Sequence, residues 1–314
     1  MYASLFHRLG RPFARLCALG SLALLTGCQL ALFDPKGDIG YQERHLILVS
    51  LGLMLLVVIP VIGLTLFFFW RYREGNTKAT YAPTWSHSTA IEVVVWAIPC
   101  VIVAILAFLI WGSTHRLDPY RALASDKTPV RVEVVALNWK WLFIYPEYGV
   151  ATVNQLVVPA QRPIEFHLTA DSIMNSFFIP RLGSQVYAMA GMETQLHLIA
   201  DEVGTFAGRS SAYSGAGFSG MRFDTIAVTD EQFADWVKRT RSTSPALTKA
   251  GYRELVAPSD HDVVRKYGSV DAGLFESVVD QYMPRDETGA ICGPSMTVSR
   301  SGFAAEAAAK GVLK

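Results

Sequence analysis

Val130-Arg131-Val132-Glu133-Val134-Val135-Ala136-Leu137-Asn138-Trp139-Lys140-Trp141-Leu142-Phe143-Ile144-Tyr145 is the stretch at which the hydrophobic period of this chain changes from helical to two. Val130, Val132 and Val134 alternate with Arg131 and Glu133, and Trp139, Trp141, Phe143 and Tyr145 alternate with Asn138 and Lys140. Successive strand side chains point to opposite faces, so the alternation predicts strands with one buried face. Further strand candidates stand at 155–159, 164–169, 195–200 and 222–228, separated by Gly, Pro, Asn and Asp. Short strands at this spacing predict an antiparallel β-sandwich over 129–228. No segment of helical period intervenes, which argues against a parallel α/β fold.

Upstream the chain is apolar. Residues 1–27 carry Arg8, Arg11 and Arg15 ahead of a run from Leu16 to Thr26 that is too short to span a bilayer, the pattern of a secretory signal. It ends in Leu25-Thr26-Gly27-Cys28, which resembles the bacterial lipobox, whose cysteine carries a diacylglycerol and becomes the new N-terminus. The alternative is an uncleaved anchor with a chance cysteine. After an outer-face segment at 28–45, two apolar runs at 46–70 and 89–111, interrupted by Pro60 and Pro99, predict transmembrane helices. The loop 71–88 between them holds Arg71, Arg73 and Lys78 against Glu74, so positive-inside counting places it in the cytoplasm. The sandwich then lies outside, the side that a lipidated Cys28 also requires. Glu92 stands about a turn inside the cytoplasmic end of the second span. It reads either as a headgroup-level carboxylate or as a proton site.

Downstream, Thr229 and Gln232 form a capping box, Asp230 and Glu231 suit a helix N-terminus, and Phe233, Trp236 and Val237 make its apolar face. A second amphipathic helix is expected around 272–283, completing a helical segment at 229–283. Both faces require a partner, either the sandwich or another subunit. Residues 284–314 lack a clear period and read as a loosely ordered tail.

Composition narrows the function. A net charge of +1, with no basic stripe and no phosphate-cradling loop, argues against nucleic acid as a partner. Cys17, Cys28, Cys100 and Cys292 fall in four separate regions and offer neither a disulfide framework nor a thiolate metal site. His167 and His197 each lie in a strand beside apolar neighbours, with no cysteine or third ligand converging on them, and read as ordinary strand histidines.

One further stretch carries a resemblance. Gly208-Arg209-Ser210-Ser211-Ala212-Tyr213-Ser214-Gly215-Ala216-Gly217-Phe218-Ser219-Gly220-Met221 has the spacing of Cys-x-Glu-x-Cys-x-x-x-His-x-x-Met, the dinuclear copper loop in subunit II of cytochrome c oxidases. Its ligand positions read Ser210, Ala212, Ser214, Phe218 and Met221, and Asn175 stands at the upstream histidine position. Together with Asp34-Pro35-Lys36-Gly37, Trp85-Ser86-His87-Ser88, Asn138-Trp139-Lys140-Trp141 and the stretch from Met174 to Gly183, this resembles subunit II of the haem–copper oxidases, specifically the bo-type ubiquinol oxidases.

The resemblance implies a two-helix transmembrane hairpin plus an all-β cupredoxin-like sandwich with a C-terminal helical segment, in a bacterial inner membrane with the main domain periplasmic. It implies a large subunit I that holds the haems and a mononuclear copper, and smaller membrane subunits III and IV. The complex would oxidise ubiquinol, reduce dioxygen to water and pump protons, with no catalytic residue, cofactor or metal on this chain. A copper pair needs bridging thiolates, which serine hydroxyls cannot replace; Met221 is expected to pack beside Phe218 instead. Glu92 matches a subunit II carboxylate near the mouth of a proton channel. The region around Trp139 and Trp141 serves electron entry in cytochrome c oxidases; here core packing and subunit contact are the favoured role. Two rival readings are a copper-binding cytochrome c oxidase subunit and a cupredoxin-like lipoprotein that acts alone as a binding or assembly module.

Overall fold

The computed structural model describes residues 31–80, 82 and 84–283. Residues 1–27, read above as a signal, Cys28 and residues 284–314 lie outside the described residues. Ala31–Phe33 forms one 3-10 turn in an N-terminal unit ending at Asp34, and the helices and sheets belong to the unit that starts at Pro35.

Two long helices come first, α1 (Asp38–Arg71) and α2 (Thr89–Arg116), each apolar and long enough to cross a membrane. Both extend beyond the apolar runs that mark them in the sequence. At 34 residues α1 is about 50 Å long, more than a hydrocarbon core requires. Its first turn is tied to the sandwich: Lys36 N–H donates to Arg181 O (2.6 Å), Gly40 N–H to Leu182 O (3.1 Å) and Asp201 N–H to Lys36 O (2.9 Å). Gly37 permits this approach, because a Cβ there would stand 2.5 Å from Ile199 O.

The sandwich consists of β1 (Val130–Leu137), β2 (Lys140–Tyr145), β3 (Val150–Val153), β4 (Gln155–Pro159), β5 (Ile164–Ala170), β6 (Asn175–Phe178), β7 (Val186–Ala188), β8 (Thr194–Leu198), β9 (Gly204–Ser210), β10 (Arg222–Val228) and β12 (Arg265–Tyr267), with β11 (Ala246–Leu247) and β13 (Ser269–Val270) paired beside it. One sheet has the order β12-β3-β2-β1-β5-β8 and the other β4-β10-β9-β6-β7. The expectation of a purely antiparallel sandwich is corrected here. β1 pairs with β5 in parallel (Val130↔Ile164), and β4 pairs with β10 in parallel (Gln155↔Asp224). Parallel neighbours need a crossover. Between β1 and β5 the chain makes it through β4 of the opposite sheet instead of through a helix.

The two sheets enclose a core of Val130, Val132, Val134, Trp141, Phe143, Phe166, Phe177 and Phe223. Within it the Phe177 and Phe223 rings stack at 5.2 Å, with Trp141 edge-on to Phe177 at 5.4 Å. Three further helices follow: α3 (Asp230–Thr243), α4 (Lys249–Leu255) and α5 (Leu274–Gln281). The Thr229–Gln232 capping box opens α3, and Phe233, Trp236 and Val237 join the main core. α4 has no counterpart in the sequence reading.

α4 and α5 cover the outer face of the larger sheet, where Val135, Leu137, Leu142, Ile144 and Val153 pack on Tyr252, Leu255, Leu274, Phe275 and Val278. β1 and β2 are therefore buried on both faces, which corrects the expectation of one. The physical reason is visible at Lys140, 2 % exposed: its Nζ donates to Leu255 O and Ala257 O (2.9 Å each) and pairs with Asp262 (3.0 Å). A residue that reads as solvent-facing is a fastener for the C-terminal segment. Asp171 is another, accepting from Tyr252 Oη (2.7 Å) and Tyr282 Oη (2.6 Å).

Candidate functional site

The segment between β9 and β10 is held on both sides. β9 pairs with β6 (Phe177↔Ser210) and with β10 (Arg209↔Arg222), which brings Asn175 at the start of β6 beside Ser210 at the end of β9. Ser210 Oγ lies 3.1 Å from Asn175 Oδ1 and 3.2 Å from Ala212 O, and accepts from Ser176 N–H at 3.3 Å. Three of the ligand-frame positions thus converge as a small hydrogen-bonded set.

Ser214 is buried and takes no part in it, its hydroxyl having no hydrogen-bond partner among the described residues. The Ser214 carbonyl accepts from Trp139 Nε1–H at 2.9 Å. Phe218 stands edge-on to Tyr213 at 5.6 Å, and Met221 is buried in the main core. Ser210, Phe218 and Met221 help to line a cavity of about 400 Å³ that also meets the side chains of Arg209 and Arg222.

The loop glycines have a mechanical cause. Trp139 lies flat against the loop, and a Cβ on Gly217 would fall 2.5 Å from its Cδ2, while Gly215 adopts φ +108°. Trp139 and Trp141, expected as one aromatic cluster, meet the same main core, Trp141 within it and Trp139 partly buried against it. Asn138 and Trp139 form the two-residue turn closed by Leu137↔Lys140, with Trp139 at φ 63°, whereas Trp141 is fully buried between the sheets. The alternation of the sequence breaks there because the turn, not a strand, occupies those two positions.

The donor set does not fit a copper pair. It offers an amide, hydroxyls already engaged or buried, a methyl, a phenyl ring and one thioether, where soft bridging thiolates and imidazoles are needed. Among the described residues no group of three or more His, Cys, Asp or Glu side chains is placed to hold a metal ion.

Glu92 lies far from this loop, in the first turn of α2. It is exposed, and among the described residues no hydrogen bond or ion pair reaches its carboxylate. The two strand histidines are engaged: His197 Nδ1 bonds Pro119 O at 2.9 Å. His167 is 3 % exposed and lies between Glu165 (Nε2–Oε1, 2.8 Å) and Glu193 on Nδ1. Burial would lower its pKa, but the two carboxylates outweigh that and raise it. Neighbouring Glu133, paired with Arg131 at 3.0 Å, is pushed up to about 6, chiefly by burial. Sequence reasoning missed this cluster and the Lys140 anchor. The register His167↔Glu133 joins residues more than thirty apart, and only a strand pairing could have revealed it.

Comparison with known proteins agrees with this architecture. Residues 147–228 match the model for "Cytochrome C oxidase subunit II, periplasmic domain", and residues 241–285 match "COX Aromatic Rich Motif". The chain is 53% identical to "Cytochrome bo(3) ubiquinol oxidase subunit 2" of Pseudomonas aeruginosa, over 86% of this chain and 82% of that one. It is also 53% identical to the protein of the same name from Pseudomonas putida (88% and 87% covered), and 51% identical to "Ubiquinol oxidase subunit 2" of Acetobacter aceti (86% and 88% covered). With relatives more than 50% identical over at least 86% of this chain, the chain belongs to the ubiquinol oxidase subunit 2 family.

Proposed function

We propose that this subunit serves a terminal ubiquinol oxidase without carrying a redox centre: electrons pass from ubiquinol to dioxygen within the large subunit, and this chain supports assembly and proton entry. The observation that carries the reading is the set Asn175, Ser210, Ala212, Ser214 and Phe218 at the ligand positions of the copper loop. A lipid-soluble donor makes an electron-accepting loop on the outer domain unnecessary. The haems and the mononuclear copper belong to subunit I, with subunits III and IV completing the complex, which pumps protons as it reduces dioxygen to water. The chain lies in the bacterial inner membrane with Cys28 lipidated and the sandwich on the periplasmic side. A stand-alone binding module is disfavoured, since relatives that match over 86% of this chain are named as oxidase subunits.

Glu92 is the residue assigned to proton entry, on the cytoplasmic end of α2. It is an ionisable residue in the first turn of an apolar, membrane-length helix, the kind of position that marks proton pathways. In the assembled enzyme Glu92→Gln is expected to lower quinol-driven oxygen uptake and proton release while the haem spectrum stays normal. Unchanged turnover would remove Glu92 from the pathway.

A further inference from the structure

At the end of the hairpin nearest the sandwich, the first turns of α1 and the last turns of α2 enclose a groove of about 390 Å³. Its lining is zoned along the helices. His45, Ser113 and Arg116 stand toward the sandwich, and Val49 and Phe108 lie deeper. Arg116 and Phe108 are eight residues apart, about 12 Å along the axis, the span from a lipid phosphate to the upper part of an acyl chain.

Two details suggest that the groove is kept open for a ligand. Arg116 is exposed, and among the described residues no carboxylate pairs with it. Gly112, midway along the groove, has no atom within 4 Å of where its Cβ would be, so close packing does not explain the glycine. Trp111, 72% exposed one residue away, sets the level at which an aromatic belt meets the headgroups.

We propose that this groove is a binding site for an anionic phospholipid of the outer leaflet. The phosphate is held by the Arg116 guanidinium, with Ser113 and His45 lining the same headgroup end of the groove, and one acyl chain runs along Val49 and Phe108. The inference rests on the hairpin spanning the membrane, and it is independent of the loss of the copper centre.

The test is native mass spectrometry of the detergent-purified, assembled oxidase, comparing the native enzyme with Arg116→Gln, Arg116→Lys and Gly112→Leu. Retention of phosphatidylglycerol or cardiolipin is expected to weaken about fivefold in Arg116→Gln, the factor that one basic residue contributes at an anionic surface, and to persist in Arg116→Lys. Gly112→Leu is expected to expel the lipid, because its side chain enters the groove at the acyl level. A free phosphate would not feel that change. Native lipid retention in both Arg116→Gln and Gly112→Leu would overturn the proposal, as would loss of a quinone in place of a phospholipid. Oxygen uptake with ubiquinol, recorded on the same samples, reports separately on the oxidase reading.

Discussion

His167 shows how a single residue sets a pH dependence. Bonded to Glu165 through one ring nitrogen and Glu193 through the other, it must donate from both, which only the imidazolium does. Its folded pKa is raised above the ordinary 6.5, so the stability it contributes is fully present below that value and is lost as pH rises through the folded pKa. Glu133 acts in the same sense at lower pH: with its pKa raised from 4.5 to about 6, its contribution is lost across that window. Asp262 acts in the opposite sense. Burial raises it, but Lys140 and Ser259 hold it below its ordinary value, so its contribution disappears only as pH falls through the folded pKa. The unfolding temperature of the purified subunit should therefore decline from neutral to alkaline pH, and Glu193→Gln should flatten that decline; an unchanged slope would refute the assignment. Lys140→Met is expected to cost about 3 kcal/mol in urea unfolding, the scale of a broken buried ion pair, since it strands two carbonyls and leaves Asp262 with Arg265 as its remaining cation.

Among the elements, the junction of α1 with the sandwich is the most constrained. Gly37→Ala would place a methyl group 2.5 Å from Ile199 O and 2.8 Å from Leu182 O, both backbone atoms that cannot swing aside. A loss of about 1–3 kcal/mol is expected, read as a lower unfolding temperature and faster proteolysis at the junction. At this scale much of the chain was legible. The two apolar helices, the period-two strands and the Thr229 capping box follow from side-chain order alone. The short strands β6, β7 and β9 were not, because β7 has only three residues and the Asn, Ser and Gly in β6 and β9 leave little hydrophobic period. The Asn138–Trp139 turn was also hidden, since a bulky residue at positive φ is rare and its neighbours alternate as a strand would. Parallel pairing of β1 with β5 depends on a crossover, which local sequence does not encode. In the candidate site, the identities at Asn175, Ser210 and Phe218 could be read from spacing, whereas the packing of Trp139 on Gly217 that shapes the loop could not.

The whole molecule joins two membrane-length apolar helices to a sandwich whose copper-loop positions, Met221 apart, hold Asn175, Ser210, Ala212, Ser214 and Phe218. The loop is built into the domain: Ser210 closes a hydrogen-bonded set with Asn175 of β6, Met221 fills core space, and Trp139 holds it from the neighbouring turn. Glu92, in the first turn of α2, is the group proposed for proton entry. The proposal that this chain carries no redox centre requires electrons to reach oxygen without entering it, and one measurement addresses that requirement directly. With the complex purified through this chain, oxygen uptake is recorded with ubiquinol and, separately, with reduced cytochrome c. Uptake with ubiquinol and none with cytochrome c is the result predicted; uptake with cytochrome c and none with ubiquinol would contradict it.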